Sequence, residues 1–225
     1  MAYPLVIKDN FFPDPESILE SCNQFDCDST YPNWPGLRTN CFSGINRELF
    51  LFIGNRIFTL IHDKPPDRYN MSMSFQKIKP FVEGDKWDKK NRGWVHKDYR
   101  LFGGLIYMDK NPDKDSGTGM YKSKDGYDVI PNEILSYKEL LYSGKPIDDK
   151  HYYNSYDSVR NQYEETLRIP NVYNRLVLIP GDQPHAMTTI GDKERNTIVF
   201  FCTDAMGVYP PEYKNSFISI PNHAF

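Results

Sequence analysis

The spacing of apolar positions changes character several times along the chain, and each change predicts an element. Leu5-Val6-Ile7 reads as a short strand. Asp14-Pro15-Glu16-Ser17 opens a helix to about Phe25, with Asp14 as N-cap and Pro15 at the first helical position, where no backbone N–H is needed. Residues 28–44 are rich in Pro, Asn, Gly and Ser and predict a loop, with Trp34 and Arg38 its notable side chains. From Ile45, apolar residues at 45, 49, 53, 57, 60 and 61 keep the helical period. A long amphipathic helix is therefore expected to about His62, closed by Pro65-Pro66.

Beyond that point the period drops to two. Tyr69, Met71, Met73 and Phe75 alternate with polar residues, as in a half-buried strand. A charged loop over 83–93 leads to strands predicted at Gly93–Asp98 and Leu101–Asp109, the second continuously apolar and so buried on both faces. After a turn cluster at 111–117, a strand is expected near Thr118–Lys122. Residues 123–173 form a polar insertion carrying Tyr127, Tyr137, Tyr142, Tyr152, Tyr153, Tyr156, Tyr163 and Tyr173, with helices expected near 132–143 and 155–168. Strands are predicted at Arg175–Pro180, Pro184–Ile190 and Arg195–Thr203, the last two as a hairpin. Helices first and short strands afterwards suggest one α+β domain, mainly β, built on a sandwich or barrel over residues 1–225.

Composition narrows the function classes. Lys and Arg number 27 against 30 Asp and Glu, a net charge of −3, which gives no warrant for a nucleic-acid binder or a polybasic membrane module. No run approaches the length of a membrane span, and no signal-peptide pattern is present. Cys22, Cys27, Cys41 and Cys202 are scattered without a paired spacing, so neither a zinc ribbon nor a disulfide scaffold is indicated, and a reduced, cytoplasmic setting is expected.

Three residues then carry chemistry together. On a strand, positions two apart share a face, so His96 and Asp98 can converge on one point. His185 follows the rigid turn Pro180-Gly-Asp-Gln-Pro184. Two histidines and one carboxylate from separate segments match the facial triad of non-haem iron(II) oxygenases, which leaves coordination positions open. Arg195 opens the apolar run Thr197-Ile-Val-Phe-Phe201, with Thr197 on its face. A buried arginine there needs an anion, either an acidic residue from elsewhere in the fold or a bound dicarboxylate.

The order His96-x-Asp98, His185, Arg195-x-Thr197 resembles the iron(II)/2-oxoglutarate-dependent dioxygenase superfamily, especially its prolyl-4-hydroxylase-like branch. Further segments look similar: Leu105-Ile-Tyr-Met-Asp109, Ser116-Gly-Thr-Gly-Met-Tyr121, Asn174-Arg-Leu-Val-Leu-Ile-Pro-Gly181 and Asp9-Asn-Phe-Phe-Pro-Asp-Pro15. The resemblance implies a double-stranded β-helix (jelly roll) flanked by N-terminal helices. It implies iron held by His96, Asp98 and His185, and 2-oxoglutarate anchored by Arg195 and Thr197, with Tyr107 touching its carboxylate. It also implies O2 as co-substrate, ascorbate as an accessory reductant, and hydroxylation of a small-molecule or peptide or protein substrate. Phe81-Val-Glu-Gly-Asp-Lys-Trp87 stands where this branch usually has tyrosines, so proline as substrate is not carried over. The insertion at 123–173 is expected to gate the substrate rather than build the core, with its tyrosines open between a substrate-binding lid and ordinary helix packing. Two rival readings are a non-catalytic jelly-roll binding module and a cupin-like metalloenzyme that does not use 2-oxoglutarate. Arg195 argues against both.

Other candidates have ordinary readings. His62 is expected to cap a helix, His151 to lie on the insertion's surface and His223 in a tail, while Trp94 and Cys202 read as core. Arg38, Arg100 and Arg175 are open between salt bridges and contact with an acidic substrate.

Overall fold

The computed structural model describes residues 3–62, 64–126 and 132–208. Two antiparallel sheets carry the fold. The larger has the strand order β1-β8-β5-β10-β4-β3-β2, formed by Val6–Lys8 (β1), Cys27–Ser29 (β2), Leu37–Thr39 (β3), Arg68–Ile78 (β4), Phe102–Tyr107 (β5), Leu176–Pro180 (β8) and Arg195–Met206 (β10). The smaller has the order β7-β6-β9, formed by Gly117–Ser123 (β6), Tyr163–Pro170 (β7) and His185–Met187 (β9). This is the jelly-roll core expected from the sequence.

The predicted N-terminal helices are present. Pro15–Asn23 (α1) starts at Asp14, whose carboxylate accepts from the Ser17 backbone N–H. A short turn of helix at Phe42–Ile45 (α2) precedes Arg47–Ile61 (α3), which Asn46 caps by accepting from the Leu49 N–H. Ile53, Ile57 and Phe58 of α3 are fully buried, together with Met73 and Phe75 of β4, Phe102 and Ile106 of β5, and Ile198 and Phe200 of β10. Each large apolar side chain so buried contributes about 1.5–3 kcal/mol. Strand alternation then decides the rest. Residues one step out of phase (Ser72, Ser74, Gln76, Thr197, Val199, Phe201) face the other way, into a cavity. The sheet thus has one face on the helix and one on the cavity.

Four expectations need correction. Residues 28–44 are not all loop: β2 and β3 add two strands to the larger sheet, and Arg38 pairs in register with Gln76. Residues 93–98 form no strand; only His96 makes a bridge, to His185. The second insertion helix lies earlier than expected, at Asp149–Arg160 (α5) after Asn132–Tyr142 (α4), and the stretch after it is β7, paired along the whole of β6. Finally, β9 and β10 are not a hairpin, because they belong to different sheets. The insertion's tyrosines divide accordingly. Tyr152, Tyr156 and Tyr163 pack with Trp94 and Tyr121 in a second core, the Trp94 indole N–H donating to the Tyr152 hydroxyl at 3.0 Å.

All four cysteines are free. Among the described residues no helix is long and apolar enough to cross a membrane. Tyr127 and His223 lie outside the described residues.

Candidate active site

Backbone pairing brings the triad together. The His96 N–H donates to the His185 carbonyl at 3.0 Å and the His185 N–H to the His96 carbonyl at 2.9 Å, which ties the 93–98 segment to β9. The ring centroids of the two histidines are 4.5 Å apart. Asp98 closes the group: its Oδ1 is 3.7 Å from His96 Nε2 and its Oδ2 is 3.6 Å from His185 Nε2. All three ligand atoms lie within 4.8 Å of one another.

Each imidazole is oriented by a backbone carbonyl. His96 Nδ1 lies 2.8 Å from the Trp94 carbonyl and His185 Nδ1 2.9 Å from the Gln183 carbonyl. A carbonyl only accepts, so Nδ1 of each ring carries the proton and Nε2 is left with a lone pair turned toward Asp98. Desolvation, and then the neighbouring His185, lower the His96 pKa, which favours the neutral ring that can ligate. The Gln183 carbonyl is held in turn, since the Gln183 side chain donates to the Tyr121 carbonyl at 2.8 Å.

Close backbone approach is part of the construction. A Cβ at Gly181 would stand 1.8 Å from the Arg100 carbonyl oxygen, so only glycine lets the turn before His185 pack under the segment that follows Asp98. A Cβ at Gly103 would stand 2.9 Å from Asp98 Oδ2 and 3.1 Å from Phe201 Cδ1. Gly103→Ala should therefore push the Asp98 carboxylate aside in a chain that still folds. Mn(II) affinity, measured by calorimetric titration, is expected to fall by roughly tenfold, the scale typical of a disturbed ligand support. Unchanged affinity would mean that Asp98 shifts at no cost and that Gly103 is not part of its seat.

The triad faces a cavity of about 1080 Å³ that also includes Thr118, Arg195 and Thr197 on its wall. Arg195 is 3% exposed and has no ion-pair partner among the described residues. Its Nη1 donates to the Gly117 carbonyl at 3.1 Å, while its Nε makes no hydrogen bond. Asp109, the carboxylate it senses, is engaged elsewhere, accepting from the Asn196 backbone and side chain and from Asn171. Burial lowers the Arg195 pKa, the signature of a cation lacking a counter-ion. Tyr107 is fully buried and does not line the cavity. Its ring lies under Arg195 at 5.3 Å, and its hydroxyl shares a 2.7 Å hydrogen bond with Thr118.

No protein-family model matches the sequence, and no curated protein does. Solved structures do match in shape. HygX from Streptomyces hygroscopicus, solved with nickel and 2-oxoglutarate bound, has a TM-score of 0.53 at 10% identity, covering 92% of this chain and 84% of that one. EvdO2 from Micromonospora carbonacea var. aurantiaca, complexed with 2-oxoglutarate, has a TM-score of 0.52 at 13% identity, covering 93% and 90%. A prolyl hydroxylase from Trichoplax adhaerens, in complex with a hypoxia inducible factor peptide fragment, has a TM-score of 0.51 at 14% identity, covering 89% and 83%. The chain shares the fold of these three structures.

Within this fold, the residues picked out from sequence fall into two places. His96, Asp98, His185, Arg195 and Thr197 share the cavity, and Tyr107 sits one layer behind it. Arg175 resolves as a salt bridge, its Nη2 donating to Asp9 Oδ2 at 2.9 Å. His62 occupies the C-cap of α3, and His151 pairs with Asp148 on the surface at 3.0 Å. Missed by sequence reasoning was the polar face of β4, where Ser72, Ser74 and Gln76 form part of the cavity wall. Lys138 of α4 was missed as well.

Proposed function

We propose that the chain is an Fe(II)- and 2-oxoglutarate-dependent dioxygenase that hydroxylates an unactivated C–H of an amino-acid residue or small molecule, with release of succinate and CO2. His96, Asp98 and His185 would hold the iron, and iron bound there would supply the activation of O2. Both Nε2 lone pairs are already turned toward one carboxylate, so the donor set suits a facially bound ion. Ascorbate is assigned the accessory role of keeping the iron reduced.

One observation carries the co-substrate assignment. A buried guanidinium with an unsatisfied Nε stands in the triad's own cavity without a carboxylate partner among the described residues. The distal carboxylate of 2-oxoglutarate would satisfy it through a charge-assisted contact, with Thr197 as an additional donor. Tyr107 supports this anchor from behind, through its ring under Arg195 and its hydroxyl on Thr118. A binding module or a metalloenzyme without 2-oxoglutarate would have no use for such a cation.

Relatives in shape take both a hypoxia inducible factor peptide and hygromycin B, so the cavity's size supports either substrate class. α4 brings Leu135, Lys138 and Tyr142 to the cavity wall, which supports the lid reading for the first part of the insertion. The test is an anaerobic titration followed by visible absorption. Protein, Fe(II) and 2-oxoglutarate together should give a charge-transfer band that no pair of them gives. Absence of the band at saturating Fe(II) would sink the chelation on which the proposal rests.

A further inference from the structure

The cavity holds a second group of cations that the oxygenase chemistry leaves unused. On the larger sheet, Tyr107, Thr197, Gln76 and Arg38 stand in one row across β5, β10, β4 and β3. Arg195 serves one end of that cavity face; Arg38 lies toward the other. The Arg38 guanidinium is stacked 4.2 Å from the Trp34 ring and 5.6 Å from the Phe201 ring. Its only hydrogen bond among the described residues is a long one, 3.4 Å from Nη2 to Gln76 Oε1, and its Nε is buried with no partner. Burial pushes its pKa down to about 9. Lys138, from α4, lines the same cavity, and burial lowers its pKa too.

Arg56 and Arg92, which lie outside this cavity, donate to the backbone carbonyls of Phe11 and Thr188, and three further part-buried cations meet carboxylates. Lys86 meets Asp113 and Asp115, Arg160 meets Glu165, and Arg175 meets Asp9. Neither Arg38 nor Lys138 has a carboxylate within ion-pair distance among the described residues. Lys138 senses first its neighbour Glu139 on α4, and both cations sense Asp98 in the cavity. A metal ion held by Asp98 would use that charge, leaving Arg38 desolvated with no counter-ion and Lys138 with Glu139 alone, an arrangement that is costly unless an anion arrives.

The geometry points to Arg38 and Lys138 as the anion-binding subsite for the primary substrate, which therefore carries a carboxylate or phosphate group. Trp34 and Phe201 hold the guanidinium plane in place, so it meets the anion with little further ordering. Calling this ligand the substrate rests on the oxygenase reading; the anion site itself does not.

The probes are 4-fluorobenzoate, 4-fluorophenyl phosphate and uncharged 4-fluorobenzamide, followed by 19F NMR on Mn(II)-loaded protein saturated with 2-oxoglutarate. At least one of the two anions should show saturable paramagnetic broadening, and the amide, which has the same ring, should not. The benzoate and phosphate arms separate the two anion types. Arg38→Gln should weaken the anion by at least about tenfold, as expected when one side of a desolvated charge pair is removed. Arg38→Lys should weaken it less, and Lys138→Gln should weaken it severalfold. Lys138→Gln decides the matter if Arg38→Gln fails to fold. The inference is overturned if neither anion binds, if the amide binds equally well, if the variants leave anion affinity unchanged, or if 2-oxoglutarate displaces the anion. Calorimetry on the same sample reports 2-oxoglutarate uptake, so failure of the oxygenase reading shows there. The probes are then titrated into the metal-loaded protein alone.

Discussion

Arg195→Ala is expected to weaken 2-oxoglutarate binding by about 30- to several-thousand-fold while leaving Mn(II) affinity nearly unchanged. The reason is the guanidinium's isolation. It is 3% exposed, donates to one backbone carbonyl, and has no carboxylate within ion-pair distance among the described residues. Truncating one member of a buried charge pair costs roughly 2–5 kcal/mol, which converts to that range of affinity. Arg195→Lys should recover part of the loss, because it restores the charge but not the planar fork. A purely structural role makes the opposite forecast. Ligand-free Arg195→Ala would then melt at a lower temperature, and whatever folds would bind 2-oxoglutarate as tightly as before. Calorimetry and a melting curve on one variant separate the two outcomes.

Removing any single member of the triad should cost at least about tenfold in Mn(II) affinity, since loss of a ligand exceeds the usual effect of disturbing its support. His96→Ala and His185→Ala are informative because the bridge between these residues is made by backbone groups, which alanine keeps. The scaffold should survive while the Nε2 donor disappears. Asp98→Ala removes the oxygens that lie 3.6–3.7 Å from both imidazoles. Calorimetric titration of the three variants checks the set. A variant that binds Mn(II) like the wild type would remove its residue from the site.

The triad and its arginine were legible because few chemistries call for those residue types in that order. A histidine, a carboxylate two positions on and a histidine after a rigid turn already single out one candidate metal site, and the fold brings the three ligand atoms within 4.8 Å of one another. The local backbone in fact differed: residues 93–98 form a bridge at His96 and one further hydrogen bond from Gly93 to Met187, with Tyr99 in the left-handed region just after Asp98. The long helix was equally legible, since Ile53 and Ile57 fall on one stripe and are fully buried.

What stayed hidden depended on partners far along the chain. The alternation of Met71, Met73 and Phe75 identifies a strand, but says nothing about whether Ser72, Ser74 and Gln76 face water or a cavity. Tyr163-Glu-Glu-Thr-Leu-Arg-Ile169 mixes helix formers with a period-two pattern. Pairing with β6 settles it as strand, with Tyr163 and Ile169 buried. Pro- and Gly-rich composition around Arg38 reads as loop, yet Arg38 lies beside Gln76 because β4 offers an edge to pair with. Arg38 and Arg175 look alike in sequence. Only the fold shows that one meets Asp9 while the other meets aromatic rings.

The account's central claim is that this cavity turns over 2-oxoglutarate, and the most direct measurement is succinate formation by the Fe(II)-loaded protein. Succinate should appear with 2-oxoglutarate, Fe(II) and O2 all present, and should fall to background when any one is left out or when His96 is replaced by alanine. Succinate no higher than in the His96→Ala control, from wild-type protein that has demonstrably bound Fe(II) and 2-oxoglutarate, would contradict it.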